Sequence, residues 1–217
     1  MSFEDRNDAA RQLAGKLRRF ASDHPVVLAV PRGAVPMGQV IARSLDGDLD
    51  AVLVRKLRAP FNPEFAVGAI DESGWSYVAD YAREAGASPA YLEGEKREQL
   101  ELLKRRRASY TPERGPLPVD GRVAIVVDDG LATGATMIAA LHSVKARNPA
   151  KLVCAVPVAS HEALAKVAPY CDEVVCLDSP DDFYAVGQFY RDFPQVDDAE
   201  VARILRGFVR HGVEKPA

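Results

Sequence analysis

Short apolar runs alternating with stretches of helical periodicity set the pattern of this chain. Val26 to Val30, Ala51 to Val54, Val123 to Val127, Leu152 to Val158 and Glu173 to Leu177 are rich in β-branched residues. They are apolar on both faces, the mark of strands buried between two helix layers in a parallel sheet. Between them, Val35 to Leu45, Ala135 to Arg147 and a stretch starting near Ser160 repeat their apolar positions at helical spacing. An opening helix carries Leu13, Leu17 and Phe20 and breaks at Asp23-His24-Pro25, and Val201, Ile204, Leu205 and Phe208 mark a closing helix. Strand and helix in this alternation predict an α/β fold with a doubly wound, mostly parallel sheet.

One region departs from that rhythm. Ala66 to Ile70 and Trp75 to Ala79 flank Asp71-Glu72-Ser73-Gly74 and predict a β-hairpin. A long helix follows, with Ser88 as N-cap and Pro89 at its first position. Leu92, Leu100 and Leu103 are expected inward, and Glu93/Arg97 and Glu101/Arg105 outward as charge pairs. The whole segment from Lys56 to Pro118 is expected to be an insert that forms a flap over the carboxyl ends of the strands. Residues 1–217 are otherwise expected to form a single domain.

Composition narrows the function classes. The 217 residues are 47% hydrophobic and 27% charged, enough apolar material for a substantial core. A formal net charge of -3 gives no global field to gather nucleic acid or an anionic membrane. The acidic, polar start and the lack of any apolar run of about 20 residues lead us to expect a cytoplasmic protein without membrane contact. Cys154, Cys171 and Cys176 make an odd set without Cys-x-x-Cys spacing, and Cys154 and Cys176 read as small core hydrophobes. The four histidines, His24, His142, His161 and His211, show no metal-ligand spacing. Lys104-Arg105-Arg106-Arg107 points around the whole circumference of its helix and reads as a solvated face.

The chemistry concentrates after the Val123–Val127 strand. There the chain reads Asp128-Asp129-Gly130-Leu131-Ala132-Thr133-Gly134-Ala135-Thr136 and then enters a helix. Gly130 and Gly134 let the backbone turn tightly and approach a ligand. Free N–H groups at the start of the helix form an anion site, to which Thr133 and Thr136 add hydroxyl donors. Asp128 and Asp129 suit vicinal sugar hydroxyls, or water on a divalent cation. Together these groups describe a ribose 5-phosphate site. For a lone Asp-Asp-Gly an acid-capped turn would be the preferred reading; the full nine-residue string after a buried strand favours the ligand site. Gly33-x-x-x-x-Gly38 lacks the lysine and hydroxyl of a nucleotide-binding P-loop, since Gln39-Val40 follows it. No dinucleotide fingerprint follows any strand.

The Asp128-to-Thr136 string resembles the 5-phosphoribosyl-1-pyrophosphate (PRPP) motif of type I phosphoribosyltransferases. The likeness extends over most of the chain: Leu28-Ala-Val-Pro31-Arg32-Gly33-Ala34 resembles the pyrophosphate loop, and Val52-Leu-Val-Arg55-Lys56 a second strand with a basic end. It is nearest to a group with a Pro-Arg-Gly loop and an Arg-Lys-Leu-x-Ala-Pro segment whose substrate is not assigned. The resemblance implies a Rossmann-type core and a magnesium-dependent displacement of pyrophosphate from ribose C1 by a nitrogen acceptor. Asp128 and Asp129 would support the reaction, and residues 130–136 would hold the ribose 5-phosphate. Pro31, Arg32, Gly33, Arg55 and Lys56 would take the pyrophosphate, with magnesium held through PRPP, water and the two aspartates. Arg55 and Lys56 read equally well as a solvated strand end.

After the last strand, Asp-Ser-Pro180-Asp-Asp-Phe183-Tyr184-Ala-Val186 resembles the acceptor-binding tail of 6-oxopurine phosphoribosyltransferases. Phe183 or Tyr184 would stack on a planar acceptor such as a nucleobase. That family's base-reading lysine has no counterpart between Ala168 and Arg191, which puts purine specificity in doubt. Packing of Phe183, Tyr184, Phe189 and Tyr190 as C-terminal core is the competing reading. At the level of the whole chain, a PRPP-binding regulator without catalysis and a module for another sugar phosphate stand beside the enzyme. The acceptor and the oligomeric state, homo-oligomer included, are left open.

Overall fold

The computed structural model describes residues 3–208, with the side chains of residues 63 and 64 left aside. In chain order its elements are α1 (Arg6–Leu17), β1 (Val26–Ala29), α2 (Ala34–Ser44), β2 (Asp48–Ala51), β3 (Val54–Ala59), β4 (Asn62–Asp71), β5 (Ser76–Val78) and α3 (Pro89–Tyr110). Then come β6 (Val123–Val127), α4 (Ala135–Lys145), β7 (Lys151–Val158), α5 (His161–Val167), β8 (Glu173–Asp178) and α6 (Asp198–Gly207). Five strands form the central sheet in the order β2-β1-β6-β7-β8, every pair parallel. The doubly wound α/β expectation holds, and the alternation of side chains explains it. Val27, Ala29, Ile125, Val127, Val153 and Ala155 face one core with Leu13, Leu17, Met37 and Ile41. Val26, Leu28, Ala124, Val126, Leu152 and Cys154 face the other with Met137, Leu141, Val144 and Val167. Strands covered on both faces can be apolar throughout, as these are.

The second strand differs from the expectation. Ala51 to Val54 is not one strand: β2 ends at Ala51, and Val54 opens β3 in a separate antiparallel sheet ordered β3-β4-β5. Arg55 and Lys56 therefore sit on the smaller sheet. The apolar run masked the break, and the real strand begins in Asp48 and Asp50, acids that argue against a buried strand. Asp50 is fully buried all the same. Its carboxylate receives Arg107 Nη1 at 2.8 Å, the Leu117 N–H at 2.8 Å and Arg114 Nη1 at 3.1 Å. Arg107 also donates to both oxygens of Glu72, at 2.6 and 2.5 Å, and to the Ala51 carbonyl at 2.9 Å. One guanidinium thus ties β2, the hairpin turn and α3 together.

The hairpin lies where its sequence placed it. Asp71 Oδ1 accepts the Ser73 and Trp75 N–H groups at 2.9 and 3.1 Å, Gly74 takes a φ of 90°, and Asp71 Oδ2 accepts Ser143 Oγ of α4 at 2.6 Å. Helix α3 starts with Ser88 capping the Tyr91 N–H, as expected. Its buried face, however, is polar: Glu95, Gln99 and Arg107 are buried beside Leu103 and Tyr110, while Leu92 and Leu100 are only half-buried. Glu95 is held by Arg58, and Gln99 accepts from Arg55, so the buried polar groups of α3 are partnered across the β3–α3 contact. The surface pairs are Lys96–Glu93 and Lys104–Glu101, three residues apart, in place of the expected arginine pairs. Within the basic run, Arg107 belongs to the interior and not to a solvated face. Cys154 is buried and Cys176 half-buried, and Phe208 is the C-cap of α6 rather than part of it.

Replacing Arg107 by Ala leaves Asp50 and Glu72 without their shared cation and should cost about 3–5 kcal/mol in urea unfolding. Lys104→Ala should stay within about 0.5 kcal/mol of wild type. Burial alone raises the Asp50 carboxyl, but Arg107 and Arg114 hold it below the usual range. A depressed carboxyl stabilises the fold above its unfolded value and stops doing so as pH falls through its folded one. The gap between wild type and Arg107→Ala should therefore narrow below about pH 4.

Candidate active site

Parallel pairing of β1 with β6, in the register Ala29 with Val127, brings two loops out of the sheet side by side. The Val30 N–H donates to the Val127 carbonyl at 2.9 Å, so the contact runs to the last residue before each loop. Pro31, Arg32 and Gly33 lead into α2, and the Pro31–Arg32 peptide is cis. Asp128 to Gly134 lead into α4. Ligands in open α/β sheets bind beyond the carboxyl ends of the strands, which is this edge.

Contact between the loops is tight. A Cβ on Gly33 would lie 2.1 Å from Asp129 Oδ2, so only glycine lets the loop pass. Asp129 itself is gripped from the opposite side of the chain: Arg6 Nε and Nη2, from the first turn of α1, each lie 3.0 Å from its Oδ2. Arg6 Nη1 donates to the Pro194 carbonyl at 2.6 Å, and the guanidinium lies 3.7 Å from the centre of the Phe193 ring. Tyr190 Oη donates to the Asp129 carbonyl at 2.6 Å. Among the described residues no cation pairs with Asp128 in this way. Its Oδ1 accepts the Asp129 N–H at 2.9 Å. Burial, and after it the Asp129 charge, push its carboxyl well above the usual range. Burial raises Asp129 too, against the pull of Arg6. Two adjacent carboxyls stand at one strand end, and the arginine pairs with only the second of them.

Gly130 packs beneath Val186, whose Cγ1 would be 2.6 Å from an added Cβ. The Leu131 N–H donates to the Val158 carbonyl at 2.9 Å, and Ser160 Oγ to the Ala132 carbonyl at 2.9 Å, fixing the loop to the end of β7. Gly134 turns with a φ of 75°, which glycine alone adopts without strain, and no side chain caps α4. The N–H groups of its first turn have no side-chain cap, and Thr133 and Thr136 beside them are exposed. Arg32 reaches Asp198 at 3.7 Å. Arg55 and Lys56 line a cavity of about 260 Å³ with Arg58, Thr136 and Ala139, so they flank the start of α4.

Beyond β8 the aromatics divide. Phe189 and Tyr190 are buried, Phe183 packs on Phe189 with ring centres 5.0 Å apart, and Tyr184 is 87% exposed. The Tyr184 and Ala185 N–H groups both donate to Gln188 Oε1, at 2.9 and 3.0 Å, which holds the turn that presents Tyr184. Core packing therefore accounts for Phe189 and Tyr190, and the exposed ring is Tyr184. Sequence reasoning missed Arg6, Tyr190 as a partner of the Asp129 backbone, and Ser160; none stands in a string with chemical character of its own.

Residues 3–194 match the family model of the phosphoribosyl transferase domain. The chain belongs to the phosphoribosyl transferase family. Two proteins of Mycobacterium tuberculosis, from strains CDC 1551 and H37Rv, are provisionally named phosphoribosyl transferases and are 45% identical over 204 residues. The alignment takes in 94% of this chain and 46% of theirs, so the chain spans about half the length of the curated relatives it matches. The crystal structure of TT1426 from Thermus thermophilus superposes with a TM-score of 0.86 at 45% identity, covering 94% of this chain and 98% of that one. A Neisseria gonorrhoeae protein solved with bound ppGpp shares the fold at 14% identity and a TM-score of 0.52, covering 95% of this chain and 97% of that one.

The contact between the two loops has a direct consequence. Gly33→Ala forces Asp129 or the Pro31–Arg32 turn aside and should lower stability by about 1–3 kcal/mol in thermal unfolding. Gly115, with nothing within 4 Å of an added Cβ, should accept alanine within about 0.5 kcal/mol.

Proposed function

We propose that the chain transfers the 5-phosphoribosyl group of PRPP to a nitrogen acceptor, a nucleobase being the leading class, and releases pyrophosphate. One observation carries this reading: the pairing of β1 with β6 brings the Pro31–Gly33 loop and the Asp128–Thr136 loop out of the sheet side by side. The free N–H groups at the start of α4, with the Thr133 and Thr136 hydroxyls, hold the 5-phosphate. Asp128 accepts the ribose hydroxyls and faces the positive charge that grows on the ring as pyrophosphate leaves, in a transition state like that of glycoside cleavage. Backbone N–H groups of Arg32 and Gly33 receive the pyrophosphate, with the Arg32 side chain released from Asp198, and Arg55 and Lys56 add positive charge near Thr136. The exposed Tyr184 ring supports the acceptor. Residues 56–118 serve as the cover over the strand ends, within one cytoplasmic domain.

Magnesium fits these residues as a ligand-borne ion. Among the described residues no cluster of three or more His, Cys, Asp or Glu side chains forms a cage. Asp128 supplies one carboxylate, and magnesium ordinarily takes one or two carboxylates together with phosphate oxygens and water. When bound, it neutralises and orients the leaving pyrophosphate. Rate enhancement then comes from holding the two reactants in line and from charge placed beside C1, without a covalent intermediate.

Pyrophosphate release should be followed with PRPP, magnesium and a panel of nucleobases and small amines. Asp128→Asn keeps the shape of the residue and removes its charge, so PRPP affinity or turnover should fall at least roughly tenfold with little change in unfolding. Asp129→Asn should lose stability as well, because Arg6 then has no anion. Calorimetric PRPP binding should weaken markedly without magnesium. Unchanged PRPP binding and turnover in Asp128→Asn, or a wild type that binds PRPP and releases no pyrophosphate with any acceptor, would overturn the reading.

A further inference from the structure

Arg6 lies where three segments of the chain meet, and nothing in the proposed chemistry uses it. Its side chain is 10% exposed, and each of its three nitrogens has a partner: Asp129 through Nε and Nη2, Pro194 through Nη1. Its flat face lies on Phe193, and Nη2 would be 3.2 Å from a Cβ on Gly33. Phe193 stacks in turn on Tyr190, with ring centres 4.7 Å apart, and Tyr190 Oη closes the circuit on the Asp129 carbonyl. The ribose-side carboxylate and the chain that follows Tyr184 are fastened to one guanidinium, and the pyrophosphate-side loop passes beside it. A second tie strengthens the link: Val186 fills the space above Gly130, so the turn that presents Tyr184 rests on the same loop.

We propose that Arg6 is a positioning residue that couples the PRPP loop to the acceptor-side segment 183–194, so that filling the first orders the second. Movement of the Asp128–Asp129 strand end toward a bound ribose pulls on Arg6 through Asp129, and Arg6 carries the displacement to Pro194 and Phe193. Arginine suits the task because its planar fork makes several directed contacts at once, where lysine supplies a single point of charge. The inference rests on the PRPP reading above and goes beyond it by assigning a communication route between the two substrate positions.

Amide hydrogen exchange on the full chain, with and without PRPP and magnesium, tests it in wild type, Arg6→Lys and Arg6→Gln. In wild type, PRPP should slow exchange in both 128–136 and 183–194. In Arg6→Gln the slowing in 128–136 should persist, while the added protection in 183–194 should fall roughly tenfold, the scale of losing charge-assisted hydrogen bonds. Arg6→Lys, which keeps the charge on Asp129 and loses the grip on Pro194, should recover only part of it. A purely structural Arg6 would raise exchange in 183–194 equally with and without PRPP, leaving the ligand-induced change intact, and that result overturns the coupling. Protection of 128–136 with none in 183–194 of the wild type overturns the coupling and leaves the PRPP site standing. Absence of protection in both segments of the wild type overturns the PRPP reading and the coupling with it.

Discussion

The pairing of β1 with β6 is the constraint on which everything else depends. Parallel neighbours end at the same level, so the segments after Val30 and Val127 must leave the sheet together. From that single juxtaposition follows the need for glycine at position 33, across from Asp129. A slip of one residue in this register would turn every side chain of β1 to the opposite core and carry Gly33 away from Asp129.

Charge buried inside the molecule holds the rest in place. Arg107 joins Asp50 and Glu72, Arg58 grips Glu95, and Arg6 holds Asp129. Buried ion pairs add little net stability compared with apolar packing, but removing one partner is costly, so they fix which elements may meet. The first two bind the three-stranded sheet and α3 to the central sheet. The third works at the site itself, where among the described residues no cation pairs with Asp128 in this way. A carboxyl in that position gains most from a ligand that brings positive charge or hydroxyl donors.

How much of this was legible in the sequence depends on how far apart the partners lie. The strands and helices of the central sheet were readable because their apolar periodicity is local, and the Asp128-to-Thr136 loop because its glycines, acids and threonines are contiguous. The family follows from the same string. The break between β2 and β3 was hidden because Val52 and Leu53 continue the apolar run across it. Nothing local marks Asp50 as buried, and Arg107 reads as one of four surface cations, because the two partners lie 57 positions apart. Arg6 and Asp129 are 123 positions apart, and nothing near either residue announces the pair. The exposure of Tyr184 and the burial of Tyr190 likewise follow from where the chain turns, which residue types alone do not fix.

The claim at the centre is that two loops, one after β1 and one after β6, form a single site. Backbone amide NMR during titration with PRPP and magnesium reads both loops at once. The account predicts that the signals of Arg32 to Val35 and of Thr133 to Met137 shift together along one binding curve. Shifts confined to one loop, or two curves with separate midpoints, would contradict it.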